Sequence, residues 1–227
     1  MFSFFKNKFG NKLNLPNHGL SFTLMVSLSF IALQIPFHHV MGSDGSFTLF
    51  DLMAPTFGAL FGTTIGMVSV LFVNLLNLIL KGQYTLMAVI RLFPILFAIL
   101  YFSKRNRYVS LIGIVCMVLF NLHPVGRQAW QYSLYWLIPA LVALLRVQNV
   151  FTRAMGATFS QHAVGSVAFL YAYGYTGEFW QGLIPVVAGE RLTMGLGIAV
   201  TYVAMKAFAK LAEGRIRVLK PVKAKVK

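Results

Sequence analysis

Phe47–Leu80, FTLFDLMAPTFGALFGTTIGMVSVLFVNLLNLIL, is the stretch on which the membrane architecture turns. Asp51 is its sole charged residue. It is too long for one ordinary span of about 20 residues and short for two. As one helix it would set Gly58, Gly62 and Gly66 in a flat GxxxGxxxG face for close packing, with tilt absorbing the extra length. As two short helices turning near Gly62-Thr63-Thr64, it reverses the side on which every later segment emerges.

The distribution of charge favours the second reading. The chain carries 20 Lys+Arg against 5 Asp+Glu. The basic residues gather in Lys6/Lys8/Lys12, Lys104/Arg105/Arg107, Arg146/Arg153 and a tail from Lys206 to Lys227. Between them lie Asp44, Asp51 and Glu178, with Lys81 and Arg127 as basic exceptions. Membrane proteins retain Lys and Arg on the cytoplasmic side. One long helix would leave Lys104–Arg107 and the C-terminus outside; two helices bring every basic cluster inside.

The expected fold is therefore all-α, a polytopic transmembrane helix bundle of about 6–8 membrane segments with both termini cytoplasmic. The other spans read as Leu20–Phe37, Tyr84–Phe102, Tyr108–Leu122, Trp130–Arg146, Met155–Tyr173 and Leu183–Ala209. Residues 1–19 form a basic cytoplasmic segment, 20–210 the transmembrane helical domain, and 211–227 a basic cytoplasmic tail. The first apolar run lacks a small-residue cleavage site, so no signal peptide is expected. The location implied is the prokaryotic cytoplasmic membrane, integral and multi-pass.

Composition agrees: 58% of residues are hydrophobic and 11% charged, with mean hydropathy +0.72, whereas soluble domains carry roughly 25% charged residues. Nucleic acid is excluded as a partner because the aromatics lie inside apolar runs rather than among Lys and Arg. The basic tail suits anionic lipid of the bilayer instead. Cys116 is the single cysteine, which excludes an intrachain disulfide. The chain has no GxSxG, HExxH or Walker A motif, so neither enzymatic activity nor a cofactor is expected.

Charged groups inside spans cost about 2.5–3.5 kcal/mol each on insertion scales and so mark candidate sites. Glu190-Arg191 lies on the order of 10 Å into its span at 1.5 Å per residue. Neighbours on a helix diverge by about 100°, so these two are expected to point apart. Either one faces a ligand or proton site, or Glu190 pairs with another helix, Arg91 being the candidate. His162, among Ser160, Gln161 and Ser166, reads as an interhelical hydrogen bond or a proton-coupling group. Asn74 and Asn77 share a helix face as polar glue.

The least lipid-like loop holds His123, Arg127, Gln128, Trp130 and Gln131. Arg127 breaks the charge rule, and an outward Arg beside aromatics suits an anionic or planar polar ligand. Trp130 and Trp180 are belt anchors or ligand contacts. His38, His39, Asp44 and Asp51 lack specific metal spacing, and no metal site is expected. The candidate substrate-binding set is Asp51, Arg127, Trp130, His162, Trp180, Glu190 and Arg191.

Phe47–Gly66 with Val70–Leu80 resembles the substrate-binding S components of energy-coupling-factor vitamin transporters. In that family a short helix with an Asp near its outer start reaches a Gly-rich inner turn, and a second helix follows with a polar residue before Leu-Leu. The likeness continues loosely through Arg91–Arg107 and covers about a third of the chain. The family typically has six helices and small residues four apart on its first; here the nearest match is Thr23 and Ser27. The resemblance implies capture of a small polar solute from outside, with energy from separate ATPase and transmembrane coupling subunits. The alternatives are a non-transporting scaffold, similar to rod-shape cell-wall proteins, and a stand-alone proton-coupled permease. A scaffold predicts a centre packed with apolar side chains; a solute binder predicts a polar cavity.

Overall fold

The computed structural model describes residues 18–39, 46–82, 84–104, 107–146 and 149–218. The chain opens with α1 (His18–Leu33), then a hairpin of β1 (Pro36–His39) and β2 (Ser46–Thr48). Its antiparallel register sets Pro36 against Thr48, His38 against Phe47 and His39 against Ser46. This hairpin is an addition to the all-α expectation. Asp44 and the first basic cluster lie outside the described residues.

Phe47–Leu80 is two helices. α2 (Leu49–Phe61) and α3 (Thr63–Lys81) meet at Gly62, whose φ of 108° and ψ of 140° no side-chain-bearing residue adopts cheaply. The glycines then act across the turn rather than along one helix. A Cβ on Gly66 would stand 2.7 Å from the Gly58 backbone nitrogen, so α2 and α3 touch backbone to backbone.

Prolines segment the next spans. The expected Tyr84–Phe102 helix is α4 (Leu86–Ile90), a turn at Arg91–Phe93, and α5 (Pro94–Ser103). Pro94 cannot supply a helical N–H and restarts the helix at its first position. α6 (Arg107–Ser110) and α7 (Ile112–Leu122) follow, then α8 (Pro124–Gln128), α9 (Trp130–Ser133), a 3-10 turn at Leu134–Leu137, and α10 (Ile138–Leu144) with Pro139 in its first turn. α11 (Val150–Ala172) and α12 (Gly177–Val218) are unbroken, α12 despite Pro185. The last helix is longer than expected and runs through 210–211, so the tail boundary placed there falls inside a helix.

Thr63–Lys81, Leu86–Ser103 and Gly177–Phe208 are long and apolar enough to cross a membrane; Phe22–Leu33, Leu49–Phe61 and Tyr108–Leu122 are shorter apolar helices. Outward-facing side chains are apolar too, among them Ile31, Val68, Val115, Leu196, Val200 and Val203, as suits a lipid-facing surface.

The packing falls into three zones. One, around Phe102, Ala154, Ala157, Ile198 and Tyr202, joins α5, α11 and α12. There Arg153 is buried, donates to the Phe102 carbonyl, and sits over the Phe102 ring at 5.2 Å. The second is aromatic, with Phe120, Tyr132, Trp136, Phe159 and Trp180. The third packs α1 on α2, α3 and α5 through Met25, Phe50, Phe57, Val70 and Ile99. Leu33 at the end of α1, Thr48 before α2, Lys81 at the end of α3, Met87 in α4 and Tyr175 before α12 come together at one end of the bundle.

Candidate functional site

A cavity of about 670 Å³ occupies that shared end. It is bounded by the hairpin, the ends of α1 and α3, the starts of α2, α5 and α12, and the second half of α11. Its size falls in the range of small-molecule sites, roughly 300–1,000 Å³.

On α2, Asp51 is drawn to the helix start: its Oδ2 accepts from the Thr48 N–H at 2.7 Å and the Thr48 hydroxyl at 3.2 Å. On α3, Asn74, Asn77 and Lys81 line the cavity with Leu78. That spacing of three, four and seven places them on one helix face. On α11 the same spacing presents His162, Gly165, Ser166 and Phe169. Gln161 adds an amide, and Arg91 stands at the kink between α4 and α5. The aromatic wall comes from α12 and the loop before it: Tyr175 stacks on Phe179 at 4.4 Å, and Trp180 meets Tyr132 at 5.2 Å.

Glu190 and Arg191 depart from expectation. The side chains pair with each other, Arg191 Nη2 to Glu190 Oε2 at 3.3 Å. Two long, flexible stems close the angle that helix geometry opens between neighbours, because a buried guanidinium needs its counter-charge. Arg191 also donates to Thr158 Oγ1 at 3.3 Å and lies 5.1 Å over the Phe47 ring. His38 Nε2 stands 3.5 Å from Glu190 Oε1. The hairpin is thus tied to α12 from both strands.

His162 belongs to a hydrogen-bonded network. Trp136 Nε1 donates to its Nδ1 at 3.1 Å, its Nε2 is 2.9 Å from Tyr132 Oη, and Tyr132 Oη is 3.0 Å from Ser166 Oγ. Four buried polar atoms of lining residues, Gln161 Oε1, Trp180 Nε1, Glu190 Oε1 and Arg191 Nε, have no hydrogen-bond partner among the described residues. Orphaned groups of this kind are uncommon in finished cores and point to a missing partner. Among the described residues there is no group of three or more His, Cys, Asp or Glu that would hold a metal ion.

No protein-family model, curated protein or solved structure matches this chain.

Of the seven candidate binding residues, five come together at the cavity: Asp51, His162, Trp180, Glu190 and Arg191. Arg127 and Trp130 do not line it. Pro124 opens the one-turn helix α8, on which Arg127 stays exposed with its Nε 3.4 Å from the Asn121 carbonyl. Trp130 is 51% exposed. From this segment Tyr132 reaches the cavity instead. The sequence reading also missed Lys81, Ser166 and the cavity-facing place of Asn74 and Asn77. The signal was available as polar residues repeating at helical spacing on an otherwise apolar helix.

Proposed function

We propose that the chain is a membrane-embedded component that binds a small polar solute and takes part in its uptake, relying on separate ATPase and coupling subunits in the manner of the S components it resembles. The carrying observation is the cavity: a scaffold has no use for a 670 Å³ space lined by Asp51, Asn74, Asn77, Arg91, Gln161, Glu190 and Arg191. Desolvating such groups costs free energy unless a partner completes them. In this reading the helices cross the membrane about eight times with both termini cytoplasmic, and the cavity opens outward.

The permease reading is weaker at the residue that suggested it. Both ring nitrogens of His162 are engaged by protein groups, which leaves no nitrogen free to exchange a proton with the cavity.

Native mass spectrometry of the chain released from nanodiscs tests the proposal. The expected result is a retained water-soluble molecule, lost on Trp180→Ala. An empty chain carrying lipid alone, from cells and after incubation with a cell metabolite extract, returns the reading to the scaffold.

A further inference from the structure

We propose that the solute is a small organic anion whose carboxylate or phosphate is held by hydrogen-bond donors that the protein leaves unused. This rests on the uptake reading and adds the charge and hydrogen-bonding character of what is taken up.

The first observation is the charge balance of the lining. Lys81, Arg91 and Arg191 face Asp51 and Glu190. Glu190 Oε2 is engaged by Arg191, its Oε1 stands 3.5 Å from His38 Nε2 without a hydrogen bond, and Asp51 Oδ2 takes two bonds from Thr48. Among the described residues neither Lys81 nor Arg91 has an ion pair. Both interrupt apolar sequence, Lys81 at the very end of an apolar helix.

The second observation is independent of charge and comes from the direction of hydrogen bonds around His162. An indole nitrogen only donates, so His162 Nδ1 must accept from Trp136 and the ring carries its proton on Nε2. Nε2–H then donates to Tyr132 Oη. The remaining bond of the network joins Tyr132 Oη and Ser166 Oγ, and either hydroxyl can donate it. Whichever donates, one hydroxyl hydrogen of the pair has no acceptor among the described residues. Trp180 Nε1 and Arg191 Nε, on residues each 3% exposed, are likewise donors without acceptors. The orphaned acceptors on the lining are Gln161 Oε1 and Glu190 Oε1, the second of which stands 3.5 Å from His38 Nε2. Three unfilled donors, together with Lys81 and Arg91, outnumber these two acceptors, and an anion supplies the missing acceptor atoms in charge-assisted form.

Such an anion is either a water-soluble solute or the headgroup of an anionic phospholipid; we commit to the solute, because the aromatic wall of Phe179 and Trp180 suits a compact planar body. The test uses the full chain in nanodiscs of phosphatidylcholine alone. The retained molecule is extracted and its charge read by mass spectrometry in both polarities. In parallel, thermal shift and tryptophan fluorescence are followed with quinaldate, its neutral amide quinaldamide, and inorganic phosphate. Either of two results supports the proposal: a non-lipid anion retained, or quinaldate or phosphate bound while quinaldamide is not. Arg91→Gln and Ser166→Ala should each weaken that binding about tenfold, Arg91→Lys should restore part of it, and Arg127→Gln should leave it unchanged. A neutral or cationic retained solute overturns the anion and leaves uptake standing. So does quinaldamide binding as well as quinaldate. A retained anionic phospholipid overturns the solute assignment. Nothing retained and no probe bound takes away the uptake reading itself.

Discussion

Trp136 Nε1 and His162 Nδ1 lie 3.1 Å apart, and this bond determines which nitrogen of the imidazole carries the proton. Trp136 is fully buried, and T-shaped against Phe120 at 5.1 Å, so its indole cannot turn away. His162 is therefore a fixed neutral spacer between Trp136 and Tyr132 rather than a titrating switch.

Nitrogen NMR of a histidine-labelled chain should find His162 as the Nε2-protonated tautomer, the signal assigned by its loss in His162→Gln. Trp136→Phe removes the donor and should mix the tautomers. Interconverting tautomers in the unaltered chain would sink the directional network and, with it, the spare hydroxyl hydrogen of the Tyr132–Ser166 pair.

Glu190→Gln should lower stability as well as alter the site. Arg191 and Glu190 side chains are 3% and 11% exposed, and removing one partner of a buried pair leaves an uncompensated charge costing about 3 kcal/mol. Glu190→Gln/Arg191→Gln should recover part of that loss. Thermal unfolding in nanodiscs measures both. Equal stability of Glu190→Gln and the unaltered chain would show that Arg191 has no need of its neighbour.

The helical architecture was legible because its signals are one-dimensional. Hydropathy runs and the Gly62 break between two apolar runs each report on a local segment. The site was legible only in part. Asp51, Glu190 and Arg191 announce themselves as charges in apolar sequence. Lys81 and Arg91 carry the same signal but were read as a topological exception and a structural partner. Arg127 looked informative as an external cation, yet exposure at a helix end is the cheap fate for an Arg. Arg153 illustrates the converse: counted as a marker of the cytoplasmic face, it is 7% exposed and bound to the Phe102 carbonyl. The β-hairpin carries no run of alternating apolar residues, and its contacts with α12, through His38 and Phe47, are long-range ones that no local pattern encodes.

Gly66→Ala should destabilise, and Gly189→Ala should not. The new methyl on Gly66 would stand 2.7 Å from one backbone atom of Gly58 and 3.0 Å from another. Backbone cannot swing aside as a flexible side chain can, and overpacking of this kind costs about 1–3 kcal/mol. Nothing lies within 4 Å of a Cβ on Gly189, and alanine there gains helix propensity. If Gly66→Ala were as stable as Gly189→Ala, the α2–α3 contact would be looser than its geometry states.

Cysteines placed singly at Lys104 and Gly174 should label from opposite sides of the membrane. Cys116→Ala provides the background, since the native thiol is buried. Both positions are exposed, and nothing lies within 4 Å of a Cβ at Gly174. Lys104 follows α5 at the basic end, where Arg153 meets Phe102; Gly174 lies between α11 and α12, beside the aromatic wall of the cavity. The rule that keeps Lys and Arg inside makes Lys104 cytoplasmic and Gly174 external. An impermeant maleimide added to intact cells should therefore modify Gly174→Cys at once and Lys104→Cys only after permeabilisation. Labelling of both from outside would place an even number of crossings between them. The proposed topology puts three between them, so the result would overturn the outward-opening cavity together with that topology.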